Sequence, residues 1–561
     1  MLFLRSFRRP LLLAACLLSA CAATGPTMSN GDSAPQAGAL SAYLTGRMAL
    51  SSAQFDRAAD NLMLALGADP GNADLHRQTF TAALVAGRPE AEALSRALPD
   101  NPIARLYIAT VDARAGRWAE AERGFAELPN RGPLQVVQPI LVAWARQGAG
   151  RTDDALAGLR GAIEHGGARG LTALHAALIA DLANRPLEAE QLYQRSASSP
   201  AEMHVRLAIL LASWNLRTNR PEAARALIDQ VQSAVPDTAI LRGSLEAALA
   251  DRVVANATDG LAEAFLAFGG SLRSDSTNDL ALMVFTLART ARPRCSAAQM
   301  AMSDTHLASR HPEAALRVLD SVRDRDMLAP LVLLRRAVLL DRMGKTDEAT
   351  TILRDLARDM PASAVPDRHL GDIYRIKSRF GDAIGAYDRA IARLPGLSPS
   401  DWIVFYHRGI ALDRDGQWDK AEADFRQALQ LNPDQPYALN YLAYSWTERG
   451  INLDRARVML EQALRARPND GAITDSLGWV LFRQGNLRDA ARLLERATEL
   501  EPDDPTINSH LGDVYWAIGR RIEALYQWRR ALTLNPPADE AAQLEQKIRP
   551  GYAGPTATAV K

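Results

Sequence analysis

The fold is decided by residues 476–536, which read SLGWVLFRQGNLRDAARLLERATELEPDDPTINSHLGDVYWAIGRRIEALYQWRRALTLNP. This stretch contains one pattern twice, because each marker residue has a counterpart 34 positions later. Small residues where two helices cross and a closing proline that cannot continue a helix indicate a helix–turn–helix unit. The two copies predict consecutive units that must pack together to bury their apolar faces. The markers are Leu477-Gly478, Ala490, Leu494, Ala497 and Pro502, then Leu511-Gly512, Ala524, Trp528, Ala531 and Pro536.

The spacing of these markers resembles the tetratricopeptide repeat, which has Leu-Gly at positions 7 and 8, Ala at 20, an aromatic at 24, Ala at 27 and Pro at 32. The resemblance implies an all-α, right-handed superhelical solenoid. We expect no sheet, since no long stretch alternates at period two. Position 20 recurs often enough to predict about fourteen repeats. Its alanines are Ala524, Ala490, Ala456, Ala421, Ala383, Ala349, Ala315, Ala281, Ala223, Ala189, Ala155, Ala121, Ala91 and Ala58.

Position 8 of the repeat is small, as at Gly371, Gly478 and Gly512. We expect it to face position 20 where the two helices cross, so that a large residue there costs about 1–3 kcal/mol. The step of 58 residues from Ala223 to Ala281 is longer than one repeat and leaves room for an extra helix around 239–255.

The chain divides by composition and repeat spacing into seven segments. Short apolar, small-residue and polar stretches mark the ends, and the repeats occupy the middle. We expect a signal peptide at 1–20, a flexible tether at 21–38, an N-terminal repeat array at 39–236, an extra helix or irregular insertion at 237–260, a C-terminal array at 261–536, a capping helix at 537–549 and a disordered tail at 550–561.

The signal peptide ends in a pattern that resembles the lipobox of bacterial lipoproteins, Leu18-Ser19-Ala20-Cys21. The resemblance implies that Cys21 is acylated and that the mature chain begins there. Ala22 stands where an Asp would resemble the inner-membrane retention signal, so the resemblance favours an outer-membrane lipoprotein facing the periplasm. The alternatives are an ordinary signal peptide with a chance Cys and, from Arg8-Arg9, a twin-arginine signal.

Charge and motifs exclude several classes of function. The 65 basic residues balance 65 acidic ones, so the chain lacks the field of a nucleic-acid binder. Three cysteines form neither a disulfide framework nor a zinc motif. The Gly344-Lys345-Thr346 sequence lacks the earlier glycine of a phosphate loop. We therefore expect no enzyme, cofactor or metal, and we interpret Cys295 and the position-6 histidines His369, His407 and His510 as structural; the alternative is an enzyme hidden in residues 237–300.

Aromatic residues are concentrated in the C-terminal repeats and suggest a partner-binding groove. The resemblance implies that positions 2, 5, 9, 12 and 13 of each first helix lie on the concave side of the array. Large aromatics exposed there anchor partner segments. The alternative is that they pack against neighbouring helices. The candidates are Tyr406, Tyr437, Asn440, Tyr444, Asp475, Trp479, Phe482, Arg483, Asp513 and Trp516.

The complete layout predicts a non-catalytic scaffold for protein–protein interactions. It resembles outer-membrane repeat lipoproteins that act as adaptors for a periplasmic C-terminal processing protease and bring cell-wall hydrolases to it. That resemblance implies a protease and hydrolases as protein partners in the groove, membrane contact through the lipid alone, and no nucleic acid. The alternative is an assembly factor for secreted polysaccharide or for another outer-membrane complex.

Overall fold

A computed structural model describes residues 33–552, apart from 130–131, 133, 167, 197–204, 243–244, 246–248, 273–276 and 321–326. The expected signal peptide, Cys21 and residues 553–561 lie outside the described residues. Within the described ranges every regular element is helical and no strand occurs, which confirms the all-α prediction.

The described helices form fourteen consecutive pairs followed by one further helix, in agreement with the expected number of repeats. In each pair the two helices pack against each other. The pairs are α1 Ser33–Ser51 and α2 Phe55–Ala68, α3 Ala73–Ala86 and α4 Glu90–Arg96, α5 Pro102–Arg114 and α6 Trp118–Ala126, α7 Leu134–Gly148 and α8 Thr152–His165, α9 Arg169–Leu182 and α10 Pro186–Ser196, α11 Val205–Arg217 and α12 Pro221–Ala234, α13 Ala257–Ser271 and α14 Asn278–Ala291, α15 Ser296–Ala308 and α16 Pro312–Asp320, α17 Ala329–Arg342 and α18 Thr346–Asp359, α19 Val365–Ile376 and α20 Phe380–Ala392, α21 Trp402–Arg414 and α22 Trp418–Leu431, α23 Pro436–Arg449 and α24 Leu453–Ala466, α25 Gly471–Arg483 and α26 Leu487–Leu500, α27 Pro505–Ala517 and α28 Arg521–Thr533, with α29 Ala538–Ile548 last.

The helices belong to two compact units, Met1–Ala97 and Leu98–Lys561. The first unit contains α1 to α4, and the second contains α5 to α29. The boundary after Ala97 falls inside the array that we expected to be continuous from 39 to 236. It follows the shortest α-helix, α4, which spans 7 residues and belongs to the repeat with the weakest pattern.

The position-20 alanines lie where the repeat pattern predicts them, with one exception. Thirteen of the fourteen are at most 1% exposed, and each lies on the second helix of its pair. In the sixth pair Ala223 is exposed and Ala224 is buried instead. The prediction was therefore off by one residue there, because two adjacent alanines match the pattern equally well.

The small residue at position 8 faces position 24 more directly than position 20. A Cβ added to Gly371 would lie 2.5 Å from Tyr387, and one added to Gly512 would lie 2.5 Å from Trp528. At Gly478 the added atom would lie 2.8 Å from Leu494 and 3.4 Å from the carbonyl of Ala490. The glycine thus makes room for the large side chain at position 24, four residues after the position-20 alanine, which corrects the expected pairing.

The first helix of the seventh pair, α13, packs against helices far away in sequence. It contacts α5, α7 and α9, the first helices of the third, fourth and fifth pairs, and α14 contacts α5 as well. A shared core of buried residues extends from Leu106 to Ala298. The inner face of these repeats is therefore covered by the chain itself.

Three segments lie before, between and beyond the repeats. Helix α1 begins at Ser33, five residues before the expected end of the tether, because its alanines favour helix and Pro35 lies in the first turn. Within the insertion, the structure describes a 3₁₀ helix at Pro236–Leu241, helical residues at 242 and 245, and irregular chain at 249–256, while 243–244 and 246–248, in the middle of the expected extra helix, lie outside the described residues. Helix α29 is the expected polar capping helix.

Candidate partner-binding surface

The ten predicted groove residues lie on the first helices of the last four pairs, as expected. Tyr406 is on α21, whereas the other nine are divided among α23, α25 and α27. Among the described elements, the main neighbours of these four helices belong to the same or the adjacent repeat, unlike those of α7, which α13 covers. The expectation of exposed side chains is wrong, however, since none of the ten is exposed: Asp475, Trp479, Phe482 and Asp513 are buried, and Tyr406, Tyr437, Asn440, Tyr444, Arg483 and Trp516 are half-buried.

Trp479 is the centre of a stack that crosses three repeats. Its indole lies 5.0 Å from the ring of Phe482 and 4.0 Å from that of His510, measured between centroids. Its Nε1 donates a hydrogen bond to Oε1 of Glu448 at 2.5 Å. With 9% of its surface exposed, Trp479 cannot offer an open ring face to a partner.

His510 completes this stack and carries a charge partner. Its Nδ1 lies 2.9 Å from Oδ1 of Asp475, on the preceding repeat. Burial lowers the pKa of His510, but the carboxylates of Asp475, Glu448 and Asp513 outweigh that effect and raise it above its usual value. The pair therefore resembles an ion pair that joins two repeats more than it resembles a ligand site.

The other position-6 histidines also face carboxylates. His369 Nε2 lies 2.9 Å from Asp237, and His407 Nδ1 lies 2.7 Å from Asp372. Burial raises the pKa of Asp372, but His407 and His369 more than compensate and keep it below its usual value. The sequence showed the common register of the histidines but not their partners. In the described ranges no group of three or more His, Cys, Asp or Glu residues is placed to hold a metal ion.

Trp516 has different neighbours from Trp479, so the two do not form the expected clamp. Its ring lies 5.3 Å from Trp528 in the core and 5.6 Å from Tyr552 after α29. The guanidinium of Arg521 lies 3.8 Å from its ring centroid. The chain itself thus occupies the surroundings of this indole.

Asp513 is occupied in a similar way. Lys547 of α29 places its Nζ 2.8 Å from the carboxylate, and Trp528 donates a hydrogen bond to it at 3.0 Å. A capping helix and a core side chain therefore satisfy this predicted groove residue.

The face of α23 retains more of the predicted character. Tyr437, Asn440 and Tyr444 are separated by three and four residues, so they share one side of the helix. All three are half-buried. The Oδ1 atom of Asn440 is buried and accepts no hydrogen bond from the described part of the protein. A buried acceptor without a donor is unusual in native proteins.

Two further predicted residues border this face. Tyr406 packs at 6.2 Å from Tyr441, and Arg467 lies 5.2 Å from the ring centroid of Tyr437. Arg483 donates a long hydrogen bond of 3.4 Å to the carbonyl oxygen of Glu448. We define the groove face as Tyr437, Asn440, Tyr444 and Arg483.

Comparison with known proteins agrees with the geometry of the helix pairs. Models of the tetratricopeptide repeat match residues 334–398, 402–435 and 476–539. These ranges therefore carry tetratricopeptide repeats, and such repeats indicate a scaffold for protein–protein interactions.

The chain is homologous to a TPR repeat-containing protein of Pseudomonas aeruginosa, with 30% identity over 162 residues, 28% of this chain and 26% of the relative. It is also 28% identical over 145 residues to the protein O-mannosyl-transferase Tmtc2 of Drosophila melanogaster, which covers 23% of this chain and 15% of that protein. The chain thus spans about a quarter or less of these relatives. A solved tetratricopeptide repeat protein from Parabacteroides merdae aligns with 16% identity and a TM-score of 0.37, over 44% of this chain and 95% of that one.

Proposed function

We propose that this protein is a non-catalytic adaptor, anchored to the outer membrane through Cys21 and facing the periplasm, that captures a partner segment on the groove face. The observation that carries the proposal is the buried Oδ1 of Asn440, which has no donor among the described residues and lies between two half-buried tyrosines. Asn440 as a whole is half-buried, so rotation of its side chain would bring Oδ1 to the surface, where a backbone N–H of an extended peptide can donate to it. Burying an unpaired amide oxygen costs stability, and binding removes that cost.

The layout of lipobox, short tether and repeats further supports a specific role. It favours partners in the envelope, namely a C-terminal processing protease and the cell-wall hydrolases that it cleaves. Neutral overall charge fits recognition by shape and hydrogen bonding rather than by a strong field.

The decisive experiment separates binding from stability. Asn440→Leu replaces the amide with an apolar side chain of similar size. We expect partner capture in the native envelope to fall at least about tenfold, because one buried hydrogen bond is lost. Thermal stability should be unchanged or increased, since no hydrogen bond within the chain is lost.

A photo-crosslinker provides the identity of the partner. Placed at Tyr444, it should crosslink a protease or a hydrolase, whereas the same group at Tyr526, 62% exposed on α28, should not. Equal crosslinking from both positions would contradict the groove face as the binding surface. Absence of the acyl mass on Cys21 of the purified mature protein would contradict the lipid anchor separately.

A further inference from the structure

The two ends of the described chain differ in how they meet solvent. At the C-terminal end, α29 has the sequence ADEAAQLEQKI, and Leu544 is its buried apolar residue. Terminal repeats need such a polar outer face to remain soluble. At the N-terminal end, α1 presents apolar side chains instead.

The exposed side of α1 is a narrow apolar stripe. Leu40, Leu44 and Met48 are 60%, 54% and 71% exposed and follow each other at intervals of four residues. Side chains at that spacing lie on one face of a helix. The opposite side packs against α2, with Gly46 close to Leu62. The stripe therefore points away from the repeat that α1 begins.

Charge on α1 is nearly absent. Its 19 residues contain no acidic side chain, and Arg47 is its one charged residue. Arg47 donates hydrogen bonds to Tyr43 and to Gln78 of α3, and its spacing of three from Leu44 places it at the edge of the stripe. An apolar stripe without carboxylates suits the headgroup region of an anionic bilayer, where acidic side chains would be repelled.

The distance from the proposed lipid anchor limits where α1 lies. Eleven residues, 22–32, separate Cys21 from Ser33. A fully extended chain of that length reaches at most about 40 Å. Helix α1 is therefore the part of the described protein that is connected most closely to the bilayer.

We propose that the stripe Leu40, Leu44 and Met48 docks on the membrane surface, so that α1 lies in the lipid headgroup region as a second contact beside the acylated Cys21. The inference rests on the proposed lipid anchoring. No described helix is long and apolar enough to span a membrane, and α1 in this role lies on the surface. The contact would fix the orientation of the first unit relative to the bilayer.

A fluorescent probe on the acylated full-length mature chain tests the docking. Met48→Cys carries an environment-sensitive dye, and Ile522→Cys, 83% exposed on α28, is the matched control. Cys295 is 1% exposed and Cys21 is blocked, so the introduced thiol is the one that reacts. In vesicles of phosphatidylethanolamine and phosphatidylglycerol, we expect a blue shift at position 48, with quenching by spin-labelled lipid, and neither effect at position 522.

A partition assay tests the stripe without the anchor. The mature Cys21→Ala chain should bind the same vesicles weakly, and the added changes Leu40→Gln, Leu44→Gln and Met48→Gln should weaken that binding by at least about tenfold. Circular dichroism checks that the variant remains helical, as expected for exposed positions.

Each outcome supports or overturns the inference. A water-like dye at position 48 on vesicles, or equal partition of the two chains, overturns it while the anchor stands. A blue shift that needs no vesicles and grows with protein concentration assigns the stripe to a second copy and also overturns it. Absence of the acyl mass on Cys21 refutes the anchoring instead, and the partition assay still decides whether the stripe binds lipid.

Discussion

The imidazole of His510 lies flat against the indole of Trp479, with ring centroids 4.0 Å apart and an angle of 12° between the planes. The two residues belong to consecutive repeats, and Asp475 holds the imidazole from the side at 2.9 Å. Glu448, one repeat earlier, accepts the indole N–H. One stack therefore links α23, α25 and α27, and it places Trp479 among the residues that join repeats rather than among those that bind partners.

Trp479→Ala should destabilise the C-terminal repeats. Loss of a buried aromatic side chain costs about 3–5 kcal/mol. The stack with His510 and the hydrogen bond to Glu448 disappear with it. We expect hydrogen exchange to accelerate in α23, α25 and α27 while α5 to α9 keep their protection, because repeats contact chiefly their neighbours.

The matched control is Tyr526→Ala, which truncates an aromatic residue that is 62% exposed. Surface changes of this kind stay within about 0.5 kcal/mol. Equal melting temperatures for the two variants would show that Trp479 contributes no more than a surface ring, and the role in joining repeats would be wrong.

The stability of the last repeats should fall as the pH rises above the usual histidine range. The folded chain keeps a proton on His510 to a higher pH than the unfolded chain does, since the pKa is raised. This stabilisation is complete below about pH 6.5, the ordinary value, and is lost as the pH rises through the folded value. Urea unfolding followed from pH 6 to 9 should show the decrease, and His510→Gln should remove it.

Asp475→Asn gives a sharper control for the same titration. The substitution removes the main negative charge that favours the protonated ring, while burial still lowers the pKa of His510. The stability should then fall less with rising pH, or even increase. If stability changed with pH in the Asp475→Asn variant as it does in the unchanged protein, the ion pair between Asp475 and His510 would not be the cause of the titration.

Most of the fold was predictable because its markers are local. A position-20 alanine is required wherever two helices cross, so its recurrence gave the number and order of the helix pairs. The exception at Ala223 and Ala224 arose where the sequence offers two small residues in succession. The close contact between α13 and α7 joins residues more than a hundred positions apart. It depends on how successive repeats are arranged relative to one another, and no pattern within a single repeat specifies that arrangement.

The candidate site was predictable only in part, for a related reason. Helical spacing indicates which face of α25 a residue occupies, and Trp479 does lie on a first helix as expected. Spacing does not indicate how far side chains of the next repeat extend over that face. His510 covers Trp479, and Tyr552 lies against Trp516 from a segment that carries no repeat pattern. Exposure therefore depends on neighbours that a single repeat cannot specify.

Gly371→Ala tests the revised role of position 8. The new Cβ would lie 2.5 Å from the ring of Tyr387, which is fully buried and cannot move without disturbing the core. Overpacking of this kind costs about 1–3 kcal/mol. We expect a lower melting temperature and faster exchange in α19 and α20.

Gly381→Ala, on α20, provides the comparison. Apart from its chain neighbours and the nearby backbone of its own helix, no described atom lies within 4 Å of its added Cβ, and the residue is exposed. Alanine is about 1 kcal/mol more favourable than glycine in a helix, so this variant should be as stable as the unchanged protein or slightly more stable. If both variants lost stability equally, the contact with Tyr387 would not be the reason why position 8 requires a small residue.

Glu263→Gln should loosen α13 from α11 and from the chain after α14, which supply its two charge partners. Glu263 is 4% exposed, and its carboxylate accepts hydrogen bonds from Arg206 at 2.9 Å and from Arg292 at 3.1 Å. Burial raises its pKa, but these two cations outweigh burial and lower the pKa to about 2.

Removal of one member of a buried ionic group costs about 3–5 kcal/mol, because the remaining charges stay buried without compensation. Hydrogen exchange should therefore increase in α13 and α11. Asp229→Asn, which breaks an exposed pair with Arg242, should change exchange little, since surface pairs contribute about 0–1 kcal/mol. If α13 kept its full protection in the Glu263→Gln variant, apolar packing alone would hold it in place, and the ionic group would be a consequence of that packing rather than its support.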